Sequence, residues 1–219
     1  MLIRFRDLRQ RRPARYPFIV PLTIAILTAV LSYTWLLEPR LGHDFVGIPV
    51  AVVAAIGVLT AFRTGDWGLA PRALIPGLRA ATLFTVPLVA VFLAAGAALG
   101  TLHHRGNVLA TLGGLFVWGA SQQWILQTVI LREAQRASSR TTGAIVAALL
   151  FGALHLPNPL LTIVTLIGAL GWCAIYDRYP NIVPLALSHA IGTLALMYAF
   201  DDRIIGGLNV GYAYLMRGN

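Results

Sequence analysis

Apolar residues run along this chain in long blocks, separated by short stretches rich in arginine, glycine and proline. Seven blocks stand out: Pro17–Leu37, Val46–Phe62, Ala80–Leu99, Val108–Leu131, Thr142–Leu156, Leu160–Tyr176 and Ile182–Phe200. A helix needs about 20 apolar residues to cross the hydrocarbon layer, so the pattern predicts an all-α, polytopic transmembrane bundle of about seven spans. Two stretches are irregular. Thr142–Leu156 spans only ~22 Å at 1.5 Å per residue and stops at Pro157-Asn158-Pro159. Proline cannot continue a helical ladder, so the chain turns within or just below the membrane face there. The tail Ile204–Met216 is apolar but short and glycine-rich, which fits an interfacial or re-entrant segment better than a span. No internal repeat or low-complexity segment is present.

Composition agrees with the pattern. Hydrophobic residues make up 58% of the 219 and charged residues 11%, with a mean hydropathy of +0.74; soluble domains carry roughly a quarter charged residues. A net charge of +9 is what a nucleic-acid binder would carry, but its placement excludes that partner. All 17 basic residues are arginine, and Arg4, Arg6, Arg9, Arg11, Arg12 and Arg15 precede the first block. That block is too long for a secretory signal and lacks its small-residue cleavage site, so it reads as an uncleaved first span.

With seven spans, the tail arginines share one side with Arg63, Arg72, Arg79, Arg132, Arg136, Arg140 and Arg178, while Arg40, Arg105, Arg203 and Arg217 lie on the other. Positive charge stays in the cytoplasm, which puts the amino terminus there. The tail can also meet anionic lipid headgroups. Exclusive use of arginine points to a GC-rich bacterial genome, hence a bacterial inner (plasma) membrane. Cys173 is the only cysteine and reads as a packing residue, with no disulfide or cysteine metal site.

Every carboxylate (Asp7, Glu38, Asp44, Asp66, Glu133, Asp177, Asp201 and Asp202) falls outside the blocks or at their edges. The polar residues left inside are chiefly Gln122, Gln123, Gln127, His155 and His189, with Ser121, Thr128, Ser188 and Thr193 as hydroxyls. Polar groups at membrane depth are costly and face a bundle interior or a cavity. Gln123 and Gln127 are four apart and share a helix face, while Gln122 points about 100° away. Taken singly, each side chain reads as interhelical glue worth roughly 0.6–2 kcal/mol. Glue does not call for a histidine near the end of two separate spans. His103 and His104 beside Arg105 read as a solvated loop.

The arrangement resembles the family of CAAX prenyl proteases and bacteriocin-processing proteins, which includes the lysostaphin-resistance-type membrane proteins. That family carries Glu-Glu-x-x-x-Arg, Phe-x-x-x-His and His-x-x-x-Asn/Asp on consecutive core helices. Phe151-Gly152-Ala153-Leu154-His155 matches the second signature, and His189-Ala190-Ile191-Gly192-Thr193 matches the third at its histidine, with threonine where the amide or acid belongs. Gln122-Gln123-Trp124-Ile125-Leu126-Gln127 keeps the spacing of the first with each charged member replaced by glutamine. The resemblance covers about Leu109–Phe200. It implies a core of four helices around a polar intramembrane cavity. The division is then a basic cytoplasmic tail 1–16, accessory spans 17–107, a protease-like core 108–200 and a short tail 201–219.

By resemblance, a glutamate of such a protease activates a water for attack on a peptide carbonyl, and the histidines and amide stabilise the oxyanion. A glutamine amide holds a water through its carbonyl or NH2 but cannot take its proton, and loss of a positioned base costs roughly 10²–10⁴ in rate. Two acids and their arginine are neutral together here; removing the acids alone would strand an arginine in the membrane at several kcal/mol. The coordinated change therefore reads as natural divergence rather than an engineered trap.

Three readings follow. In the first, peptide hydrolysis of a membrane-embedded, prenylated or leader peptide survives at a carboxylate-free site. Its catalytic residues are His155, His189, Gln122 and Gln123, with an imidazole as base and Gln123 orienting the water. Gln127, Phe151, Thr193 and Asn158 support it, Asn158 supplying the amide that Thr193 lacks. In the second, a non-catalytic relative binds a membrane segment, an isoprenoid chain or a partner protein. In the third, His155 and His189 ligate haem b or a metal, though glutamine is a poor metal ligand. No cofactor or metal is expected under the first two.

Overall fold

The computed structural model describes residues 20–104 and 106–217. The basic tail 1–16 and Arg105 therefore lie outside the described residues. Seven long helices coincide with the seven apolar blocks: α1 (Val20–Ser32), α2 (Gly47–Thr64), α3 (Leu74–Leu99), α4 (Val108–Ile125), α5 (Arg140–Ala153), α6 (Pro159–Arg178) and α7 (Ile182–Ala199). Among the described residues there is no β-strand, only an isolated antiparallel bridge between Leu69 and Asn181. Five stretches are long and apolar enough to cross a membrane: Pro21–Leu41, Asp44–Thr64, Pro71–Leu99, Pro159–Arg178 and Ile182–Ala199. α5 is shorter, and α4 holds Gln122 and Gln123.

The helix ends follow from local chemistry. The first N–H groups of a helix have no partner in the ladder, a severe cost where water is scarce. Asn107, Ser139, Asn158 and Asn181 open α4 to α7 by accepting hydrogen bonds from Leu109 and Ala110, Thr142, Leu161 and Val183 respectively. Pro159 occupies the first turn of α6, where its missing N–H costs nothing. α1 runs on through a π-helical stretch, Tyr33–Leu37, into Glu38–Leu41. α4 likewise runs through a wide π stretch, Leu126–Leu131, into Arg132–Ala137, and all six residues of that stretch are buried. The block Val108–Leu131 is thus not one regular helix.

α7 is the centre of the bundle. Its span is 61% buried, against 17–33% for the other four. It packs most extensively on α3 and α4, while α5 pairs with α6. At one end of the molecule Arg132 pairs with Asp66 (3.4 Å), Arg140 Nε donates to Asp177 (2.9 Å), and Gln135 bridges Arg132 and Asp177. These four charges come from segments that the span assignment puts on one side.

Glu133 departs from the edge position read for it. It is buried, and its Oε2 accepts hydrogen bonds from the backbone N–H and the hydroxyl of Thr23 in the first turn of α1. A carboxyl from the end of the α4 rod therefore caps α1. Burial pushes the Glu133 carboxyl above its ordinary range, against the opposing pull of the Thr23 bonds and Arg136.

A carboxyl whose folded value is raised contributes most below its unfolded value, and that contribution is lost as pH rises through the folded value. The unfolding midpoint in detergent should therefore fall from pH 5 to pH 8 in the wild type. The decline should be smaller in Glu133→Gln, whose amide oxygen still accepts from Thr23. Glu133→Ala should lose about 1 kcal/mol throughout, as for a lost cap. Identical pH profiles for wild type and Glu133→Gln would refute the linkage between Glu133 and stability.

Candidate functional site

A cavity of about 510 Å³ runs through the bundle. Ile26, Leu126, Trp172, His189 and Gln122 line it, with Leu115, Ile125, Val164, Thr165 and Leu196. Tyr33, Thr34 and Glu38 also line it, as do Leu208, Asn209, Val210 and Ala213 of the carboxy-terminal tail. α4 and α7 touch closely beside it. A Cβ added at Gly119 would lie 3.2 Å from the carbonyl oxygen of Ala186 and 3.3 Å from Cβ of His189, so a small residue there lets His189 approach the glutamine helix.

Gln123 and Gln127 are fully buried. Gln127 Nε2 donates to Gln123 Oε1 at 3.0 Å, which leaves Gln123 Nε2 to face His189 Nδ1 at 3.2 Å. An amide nitrogen only donates, so His189 Nδ1 accepts and the ring proton sits on Nε2. His155 has the opposite tautomer. Its Nδ1 lies 2.8 Å from the carbonyl oxygen of Phe151, which only accepts, so Nδ1 donates and Nε2 keeps the lone pair. The two imidazoles, both in the cavity lining, thus differ in character: one offers a donor, the other an acceptor.

The rings are held in place by aromatic contacts. Trp172 stacks on His189 at 4.7 Å between centroids and 8° between planes. Phe151 lies 5.0 Å from His155 and 6.4 Å, edge-on, from His189. Trp172 Nε1 donates to Ser188 Oγ (2.9 Å), whose hydroxyl meets that of Thr85 (2.6 Å), and Thr85 donates to the carbonyl of Ala81 (2.7 Å). Since the Thr85 proton goes to Ala81, Ser188 donates to Thr85, and the chain has one direction from α6 through α7 to α3.

The structure brings most of the expected residues together. Gln122, His155, His189, Phe151 and Thr193 line the cavity, while Gln123 and Gln127 form the hydrogen-bonded pair that their spacing suggested. Asn158 does not line it. Its Oδ1 caps Leu161 and its Nδ2 donates to the carbonyls of Ile205 (2.9 Å) and Asn209 (3.1 Å), so its amide anchors the tail. The places of Trp172 and of the tail residues in the lining were not anticipated. A tryptophan inside an apolar block carries no distinguishing signal, whereas the Asn-Pro pair at the start of a block is a capping signal.

Among the described residues no three His, Cys, Asp or Glu side chains converge, and no carboxylate touches either imidazole. Among the described residues the lining holds one carboxylate, Glu38. Gln122 Oε1 and Gln127 Oε1 are buried without a hydrogen-bond partner among the described residues.

Comparison with known proteins adds one finding. Residues 104–195 match the family model described as type II CAAX prenyl endopeptidase Rce1-like. The match is under half of the chain, and it contains Gln122–Gln127, Phe151–His155 and His189–Thr193. No curated protein and no solved structure matches the chain.

Gln123 is the central member of the amide chain. Gln123→Leu should strand both Gln127 Nε2 and His189 Nδ1, each at about 1–3 kcal/mol. Gln127→Leu removes an end member whose own oxygen is unpartnered and should cost less. Unfolding midpoints of the two variants in detergent check the order, and a larger loss in Gln127→Leu would contradict a chain running from Gln127 through Gln123 to His189.

Proposed function

Because residues 104–195 match the Rce1-like family model, we propose that this intramembrane protein takes a membrane-embedded peptide or isoprenoid-bearing segment into its cavity. It holds that segment by uncharged hydrogen bonds, without the carboxylate-driven hydrolysis that the family resemblance implies. One observation carries the reading: Gln123 hydrogen-bonds His189 Nδ1, and no carboxylate meets either imidazole among the described residues. A base positioned near its working pH is worth roughly 10²–10⁴ in rate, and an amide supplies none of it.

A second reading is favoured by His155. With Nδ1 fixed on the Phe151 carbonyl, its Nε2 lone pair is the proton acceptor on the cavity side. In slow hydrolysis a water would give its proton to His155 Nε2 as its oxygen attacks the peptide carbon. The developing oxyanion would accept from His189 Nε2–H. Protonated His155 would then return the proton to the leaving amine.

The surrounding architecture is proposed with it. Accessory spans 17–107 flank a core at 108–200 in a bacterial plasma membrane, with the amino terminus cytoplasmic. Support comes from the arginine distribution and from the gathering of Asp66, Arg132, Arg140 and Asp177 at one end.

The two readings separate in one assay of the purified protein in lipid nanodiscs with a fluorogenic farnesylated peptide. The wild type should bind the peptide and turn it over no faster than His155→Ala. The triple variant Gln122→Glu, Gln123→Glu, Gln127→Arg should gain turnover by ~10²-fold or more. Wild-type turnover that His155→Ala abolishes would replace the binding reading with the hydrolytic one.

A further inference from the structure

The carboxy-terminal segment lies outside the matched residues 104–195, yet it supplies Leu208, Asn209, Val210 and Ala213 to the cavity lining. Gly207, Leu215, Met216 and Arg217 of the same segment are exposed. It is therefore a wall one layer thick, with the cavity on one side and the exterior on the other.

The segment divides into a fixed root and an arm. Ile205 is 1% exposed and packs with Phe92, Leu196 and Phe200, which fixes the root. Directly after it, Gly206 (φ +69°) and Gly207 (φ +60°) hold a backbone conformation that glycine enters and leaves at little cost. The arm, Leu208–Arg217, packs on the end of the first helix and is pinned at three points. Asn158 Nδ2 donates to the carbonyl of Asn209 (3.1 Å), the Gly211 N–H to that of Leu156 (2.8 Å), and Arg217 to that of Arg203 (3.0 Å). Against these pins stands Leu208 at φ +59°, a left-handed conformation that is strained for leucine and recurs at clamps and switches. A glycine hinge, few pins and a strained first residue let a segment open locally while the bundle stays folded.

We propose that Leu208–Arg217 is a strap that swings on Gly206 and Gly207 and opens the cavity to water when it lifts off Leu156 and Asn158. This motion is independent of what the cavity holds.

Gly192 lines the cavity, and a Cβ added there meets nothing within 4 Å, so Gly192→Cys places a thiol in open space. Cys173 is fully buried and outside the lining, which makes it the internal control. The full chain in nanodiscs is treated at pH 8 with the water-soluble cation 2-(trimethylammonium)ethyl methanethiosulfonate. The modification rate at each cysteine is read by mass spectrometry. Asn158→Asp keeps an oxygen to cap Leu161, as aspartate does well. A carboxylate only accepts, however, so both bonds to the tail carbonyls are lost. In that background the new thiol should react about 10-fold faster, equivalent to 1.4 kcal/mol toward the open strap, while Cys173 stays unmodified. Gly211→Val lifts the arm by another route and should give the same rise, since its Cβ would lie 2.6 Å from the Thr34 carbonyl oxygen.

Absence of that rise in either folded variant overturns the strap; should one variant fail to fold, the other decides. A parallel rise at Cys173 also overturns it, because the whole bundle would then have loosened. So does a new thiol that reacts as fast in the parent as in the denatured chain, since the cavity would be open with the strap closed. No ligand is present, so failure of peptide binding leaves this result standing.

Discussion

In hydrocarbon a polar side chain must find its partner within the protein, since water is not there to supply one. The chain Gln127 to Gln123 to His189 meets that demand, and much of the site's character follows from it. Each amide sets the orientation of the next, and the last sets the tautomer of an imidazole. Trp172 fixes the plane of that imidazole by stacking. It is fixed in turn by donating to Ser188, which leads to Thr85 and the backbone of Ala81. Two hydrogen-bonded chains, one on each side of His189, thus tie α4, α6, α3 and α7 into a single arrangement.

Much of the cavity is built from outside the family-matched segment. The first helix, α2, α3 and the tail all contribute wall residues, and Thr85, which ends the second chain, lies on α3. The first helix is tied to the α4 rod by Glu133 at one end. At the other, the tail presses on Thr34, where a Cβ on Gly211 (φ +57°) would sit 2.6 Å from the Thr34 carbonyl oxygen. The π stretch after α4 widens the turn just past Gln122 and Gln123 and carries Gln127, and its six side chains are all buried. π bulges recur at functional sites, and here one lets neighbouring elements pack on every face of the rod.

What was legible in the sequence was whatever local pattern decides. Each apolar block holds a long helix among its described residues, because length and hydrophobicity suffice for that. The spacing of Gln123 and Gln127 put them on one helix face, where they bond each other, and the offset of Gln122 set it apart from them. What was not legible depends on neighbours distant in the chain. Glu133 stands among charges just past an apolar block, which is the pattern of a solvated edge; only the docking of α1, 110 residues away, buries it. The Trp172–His189 stack joins two helices that no local periodicity brings into register. Asn158 carried two signals, an amide near His155 and a cap before Pro159, and the capping role is the one the hydrogen bonds support.

Exchanging glutamate for glutamine at position 123 therefore changes more than charge. A carboxylate there could only accept, so it would take the proton on His189 Nδ1 and leave the Nε2 lone pair toward the cavity. The amide present donates to Nδ1, which turns Nε2 into a donor. The amide thus makes His189 Nε2 a hydrogen-bond donor where a carboxylate would leave it an acceptor. His155, fixed by a backbone carbonyl rather than a side chain, is untouched by the exchange and keeps its acceptor. With three glutamines beside them and no carboxylate in contact among the described residues, the two imidazoles present one donor and one acceptor.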